Sequence, residues 1–420
     1  MSIIQPFVTV RDPMYSVWQS IVEKVANQQA AGHLIDAVHA HVADHDGIEG
    51  TVTGAITGAA AKLTGLASAK ACSALAARLA WAKVTGNTAE VAALQAAFDF
   101  NICDPLWAEC VEAYVDFYRV HSGEIPYRPG LDNLLATPVP AKPRIAIFGD
   151  WGTGMANAVA LLEQIQGLKP DILMHLGDIY YSGTQDEMQN RFLSVCHDVF
   201  GDDLPPTFSL AGNHDMYSGG AGYYWLVDQL GQGASYFAFQ NADWLFIGMD
   251  TGMHDNDPLK VSSTTTFLEK TEAAWINDLI AASPDRKVVL FSHHPLFSAY
   301  EPIAGEAMNL LLYTQLAPSL PRITAWFWGH EHRLAVYDAF KGLARGRCLG
   351  HGAIPVFADG GDPPKIDGVP VLMVDGAPLD PGSADGVFLH GFAMLELDGK
   401  DATTSYYRSG EDDPFWSETF

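Results

Sequence analysis

Five short apolar runs in this chain each stop within a residue or two of a side chain that can hold a metal ion. Arg144-Ile-Ala-Ile-Phe148 leads into Gly149-Asp150-Trp151-Gly152, and Ile172-Leu-Met-His-Leu176 leads into Gly177-Asp178-Ile179-Tyr180-Tyr181. Thr207-Phe-Ser-Leu-Ala211 is followed by Gly212-Asn213-His214-Asp215. Lys287-Val-Val-Leu-Phe-Ser292 is followed by His293-His294-Pro295, and Thr324-Ala-Trp-Phe-Trp328 by Gly329-His330-Glu331-His332. Any one of these alone is an ordinary turn. Together they supply two carboxylates, a phenol, a carboxamide and several imidazoles, with no thiolate. Oxygen and imidazole donors of this kind suit Fe, Mn or Zn and not a soft metal. They are too many for one tetrahedral ion, so two ions are implied, with Asp178 bridging them and the phenol of Tyr181 capping one.

The donors converge only if the runs are strands of one α/β architecture. Runs this short that end at glycine read as buried strands delivering their last side chains to a loop. In an open α/β sheet, loops at the C-terminal strand ends share one crevice. Gly149, Gly152 and Gly154 follow a strand, but their spacing fits neither a dinucleotide-binding nor a Walker loop.

The ordered set GDWG, GDIYYSG, GNHD, SHHP and GHEH resembles the calcineurin-like metallophosphoesterase superfamily over residues 144 to about 335. The usual first motif of that superfamily is Asp-x-His. Here it is Asp150-Trp151-Gly152, and Tyr181 stands three residues after Asp178, as in the purple acid phosphatase branch. The resemblance implies an αββα sandwich of two mixed sheets flanked by helices. It implies that Asp150, Tyr181 and His332 hold one metal, that Asn213, His293 and His330 hold the second, and that Asp178 bridges both. It makes His214 the catalytic group outside the metal sphere, where it meets the phosphoryl oxygen or the leaving group. Phenolate in place of a neutral imidazole favours Fe(III) at the first position, with Fe, Mn or Zn at the second. The activity so implied is phosphoester hydrolysis by metal-activated hydroxide, with a small-molecule phosphomonoester as substrate. A phosphodiesterase for cyclic nucleotides or phospholipid head groups, and a metal-binding scaffold without turnover, are the alternatives. Candidate substrate contacts are His294, Tyr217 and Tyr300. Asp215 is a candidate to orient His214, and Asp250, His254, His351 and His390 read as structural.

At 420 residues, two domains are expected. Residues 1 to 140 read as a helical domain with a Pro/Gly-rich linker, through helical spacings such as Leu34, Ile35, Val38 and Val42, and 141 to 420 as the catalytic domain. The formal charge of −26 disfavours a nucleic acid duplex as partner. Local metal ions would offset that charge for a phosphoester. The five scattered cysteines form no Cys-x-x-Cys pair, which argues against a disulfide framework and a thiolate zinc site. Residues 1 to 20 lack a basic segment followed by an apolar core, and no apolar run reaches the ~20 residues of a membrane helix, so the expected location is cytoplasmic and no membrane partner is expected. The oligomeric state is left open.

Overall fold

The computed structural model describes residues 137–256, 265–354, 365–375 and 388–420, together with 86–89, 125–128 and the single positions 91, 113 and 117. The helical domain expected over residues 1 to 140 therefore lies almost wholly outside the described residues.

Two mixed sheets stack face to face. The first holds β1 (Arg144–Phe148), β2 (Ile172–His175) and β3 (Thr207–Ser209), which are parallel neighbours. β1 also pairs antiparallel with Gly391–Asp398, and Asp401–Arg408 and Trp416–Thr419 complete that sheet. The second sheet is built on β4 (Trp244–Gly248), β5 (Lys287–Ser292) and β6 (Ile323–Trp328), again parallel neighbours. Phe237–Gln240 and Gly346–Leu349 flank them.

Side-chain alternation explains why these strands read as unbroken apolar runs. In β1, Ile145 and Ile147 enter the core between the sheets, while Ala146 and Phe148 face the helix layer with Leu161, Leu162 and Ile165 of α1 (Ala156–Gly167). In β6, Ala325 and Phe327 point inward, whereas Trp326 and Trp328 pack outward with Ile276 and Ile280 of α2 (Lys270–Ala281). A strand covered on both faces needs apolar residues at every position, and helices on both outer faces give the αββα layering.

The C-terminal strands close the assembly. Arg347, buried in the second sheet, binds Glu418 of the first through Nε (2.6 Å) and Nη2 (2.5 Å), and Tyr406 donates its hydroxyl to the same carboxylate at 2.8 Å. This clasp joins the two sheets. Among the described residues no helix is long and apolar enough to cross a membrane.

Candidate metal centre

The loops leaving β1, β2, β3, β5 and β6 meet at one edge of the sandwich, and their donors fall into two groups around Asp178. In the first group, ligand atoms of Asp150, Asp178 and His332 lie within 4.8 Å of one another. His332 Nε2 is 3.4 Å from Asp150 Oδ1. In the second, Asn213 Oδ1 lies 3.0 Å from His293 Nε2 and 3.1 Å from His330 Nδ1, and the two ring nitrogens are 3.3 Å apart. Asp178 Oδ2 reaches the second group at 3.5 Å from His293 Nε2. Its carboxylate therefore stands between the groups.

The backbone is forced to present these side chains. Asp150, Asp178, His330 and His332 have φ of 54°, 71°, 71° and 46°, a left-handed region that non-glycine residues seldom occupy. Such strain persists where surrounding bonds over-determine it. Here Asp150 N–H donates to Gly177 O at 3.0 Å, and His330 N–H donates to Asp150 Oδ2 at 2.8 Å. Asp215 accepts from the backbone N–H groups of Asp178 (3.0 Å), Ile179 (2.8 Å) and Gly212 (2.8 Å), so it ties the bridging loop to the Asn213 loop instead of orienting His214. Gly350 is glycine because a Cβ there would lie 2.9 Å from Asp150 Oδ2 and 2.8 Å from His332 N.

The donor chemistry fits cations. His293 Nδ1 lies 2.9 Å from the Leu176 carbonyl, which can only accept, so the proton is on Nδ1 and Nε2 carries a lone pair. Asn213 donates its amide to the Tyr217 hydroxyl at 2.5 Å, so Oδ1 is the atom that faces the imidazoles. Burial, with the neighbouring His294 and His330, holds His293 far below the ordinary imidazole pKa and keeps it neutral. Two lone pairs therefore face each other at 3.0 Å with no proton between them, an arrangement that a metal ion resolves. In the first group, burial and the adjacent Asp150 and Asp215 carboxylates push the Asp178 carboxyl well above its usual range, a cost that a divalent or trivalent ion removes.

The Tyr180 phenol lies beside the first group: it donates to Asp150 Oδ1 at 3.0 Å and lies 3.2 Å from His332 Nε2. The Arg191 guanidinium lies over the Tyr181 ring, 5.1 Å from its centroid. Glu187 accepts the N–H groups of Tyr181, Ser182 and Thr184.

Residues 143–334 match the family model described as calcineurin-like phosphoesterase. Residues 143–334 are a calcineurin-like phosphoesterase domain. The chain is 28% identical over 242 residues to the pig tartrate-resistant acid phosphatase type 5, covering 50% of this chain and 70% of that protein. The human protein of the same name is 27% identical over 244 residues, covering 48% and 70%. Among solved structures, a dimetal phosphatase from Danio rerio superposes with a TM-score of 0.46 at 13% identity, covering 66% of this chain and 98% of that one.

The remaining candidates in the phosphoesterase domain divide between the reacting volume and its walls. His214 Nδ1 donates to the Tyr181 carbonyl at 2.7 Å, which leaves Nε2 buried with no hydrogen-bond partner. Burial, opposed in part by that bond, pulls the imidazole down to about 3, so it rests neutral with a bare nitrogen. His294 lies close to His293 and His330, but Thr251 takes its Nδ1 (3.1 Å) and Asp255 its Nε2 (3.0 Å). Its ring therefore buttresses His330, at a centroid distance of 4.5 Å, and neither substrate nor metal finds a free nitrogen there. Tyr217 positions Asn213 through the bond already given and packs on His214 at 4.6 Å. Tyr300 is buried beneath the Arg333 guanidinium at 4.5 Å. Asp250 is structural, its Oδ1 accepting from the N–H groups of Gly252 and Met253. His254 stacks on Phe267 at 3.7 Å and bonds Glu269, away from the two groups.

Sequence reading missed Glu187, Arg191 and Asp255. For Glu187 a signal existed, since Thr184-Gln-Asp-Glu187 has the spacing of a capping box and both of its bonds form.

Proposed function

We propose that this chain is a phosphomonoesterase whose two metal ions are held by Asp150, Tyr180, Asp178 and His332 on one side and by Asn213, His293, His330 and Asp178 on the other. Two ions so bound would supply a hydroxide near neutral pH and offset the charge on the phosphoryl oxygens. The chain's own residues do the rest. Asp178 stays between the groups because its Oδ1 accepts the His214 N–H at 3.0 Å. His214 Nε2, the buried nitrogen without a partner, takes the proton of a phosphoryl hydroxyl on the monoester monoanion and returns it to the leaving oxygen as the ester bond breaks. That nitrogen carries the reading, because a scaffold that merely held metal would have no use for it. The monoester preference draws support from the similarity to tartrate-resistant acid phosphatases.

The test is hydrolysis of a chromogenic phosphate monoester and the matching diester after loading with Fe, Mn or Zn. Faster monoester turnover is expected. Diester preference would replace the reading by a phosphodiesterase, and silence on both with metal bound would leave a scaffold. We further propose Fe(III) in the first group, because an anionic phenolate beside carboxylates is a hard donor set. Iron-loaded protein should then absorb in the visible, and the band should vanish in Tyr180→Phe and survive in Tyr181→Phe. A colourless, active iron enzyme would remove the Fe(III)–phenolate assignment.

A further inference from the structure

We propose that Thr251 and Asp255, in the loop after β4, are positioning residues that set the metal affinity of the second group through the ring of His294. The proposal rests on the two-metal reading of the site. One loop, residues 250–255, touches the surroundings of all three donors that belong to the second group alone. Toward Asn213 it packs backbone on backbone, since a Cβ on Gly252 would lie 2.5 Å from Gly212 O and 2.7 Å from Ala211 O. Toward His293 it holds the next residue, because the Thr251 hydroxyl accepts the His294 backbone N–H at 3.0 Å. Toward His330 it holds the His294 ring, whose centroid lies 4.5 Å from that of His330 and 4.9 Å from that of His293.

That ring is gripped at both nitrogens. Its Nε2–H donates to the Asp255 carboxylate at 3.0 Å, and its Nδ1 accepts from the Thr251 hydroxyl at 3.1 Å. An imidazole turns easily about χ2, a torsion with broad wells, so packing alone would leave its tilt loose. Bonds at both nitrogens leave one orientation, and the ring stands as a fixed wedge against two donor imidazoles. The loop is itself braced: Glu272 Oε1 accepts the Asp250 N–H at 2.9 Å, and the Thr266 hydroxyl donates to the Thr251 carbonyl. Thr251, Asp255 and His294 are 0%, 3% and 5% exposed, so water does not compete for these bonds. Burying a carboxylate carries a desolvation cost that an apolar wedge would avoid. The polar grip therefore contributes aim more than stability.

Zinc titration into the metal-free full chain, followed by calorimetry, reads this without turnover. A His332→Ala background reports the second group, and a His293→Ala background reports the first. Thr251→Val and Asp255→Asn, both close to isosteric, should each weaken the second group by ~10- to 100-fold. Neither should change the first group. Thr251→Ser keeps the hydroxyl and should bind zinc as Thr251 does in the same background. Equal losses at both groups would mean a general loosening of the fold and would overturn the proposal. So would an unchanged second group, or a Thr251→Ser variant as weak as Thr251→Val. A wild-type chain that takes up fewer than two zinc ions would instead remove the two-metal reading itself, and the proposal with it.

Discussion

Asp178→Asn should cost the protein its paired metals and its turnover together, yet leave the metal-free fold at least as stable as the wild type. The first half follows from placement. Among the described residues, Asp178 is the carboxylate that reaches both groups, 3.5 Å from His293 Nε2 and within the 4.8 Å cluster of Asp150 and His332. A neutral carboxamide bridges two cations poorly, so activity should fall by at least the ~10³-fold that loss of one charge-stabilising donor costs. The second half follows from charge. Burial first, then repulsion from Asp150 and Asp215, raises the Asp178 carboxyl above its ordinary value in the metal-free fold. A carboxyl raised on folding binds more protons folded than unfolded, so metal-free stability falls as pH climbs from the ordinary carboxylate range through the raised value. Asparagine removes that penalty and can keep its oxygen on the His214 N–H. Metal analysis, a turnover assay and thermal unfolding in chelator from pH 4 to about 8 test both halves. Two metals retained in the Asn variant would end the bridging role, and a metal-free variant markedly less stable than metal-free wild type would end the electrostatic account.

Much of this was legible from local sequence, and the reasons are local too. Strands such as Arg144–Phe148 and Lys287–Ser292 are buried on both faces, so unbroken apolar runs marked them. Asp150, Asp178, Asn213, His293, His330 and His332 each lie within four residues of the end of a strand, so the apolar runs and the motif resemblance pointed to the same loops. The choice between Tyr180 and Tyr181 was not legible by counting from Asp178. In the fold the Tyr180 hydroxyl is within hydrogen-bond reach of Asp150 and His332, residues far from it in sequence. His294 likewise looked available until Thr251 and Asp255, from the loop after β4, were seen on its nitrogens. Asp215 could be placed beside His214 but not aimed, because its partners are backbone groups 36 and 37 positions away. The Arg347–Glu418 clasp spans 71 residues and two sheets, with no pattern in either segment to announce it.

His214→Ala separates chemistry from metal binding. The variant should hold both metals, because His214 belongs to neither group and the bond it loses is to the Tyr181 carbonyl. Its turnover should drop by roughly 10²- to 10⁴-fold, the usual share of a positioned proton donor. The loss should be steeper for alkyl esters than for nitrophenyl esters, whose leaving oxygen departs without a proton. The pH profile adds a sharper demand. Burial keeps His214 neutral, at about 3, with its only proton engaged on Tyr181 O. The proton it passes on must then arrive with the substrate, as the monoanion of a monoester. Activity of the wild type should therefore decline above pH ~6, where the second phosphate proton is lost. A diester has no such proton, and its slower hydrolysis should lack this limb. The limb should also disappear in His214→Ala. Equal losses on alkyl and nitrophenyl esters, with the alkaline decline intact in the variant, would show that His214 only binds the phosphoryl group and that the leaving oxygen takes its proton elsewhere.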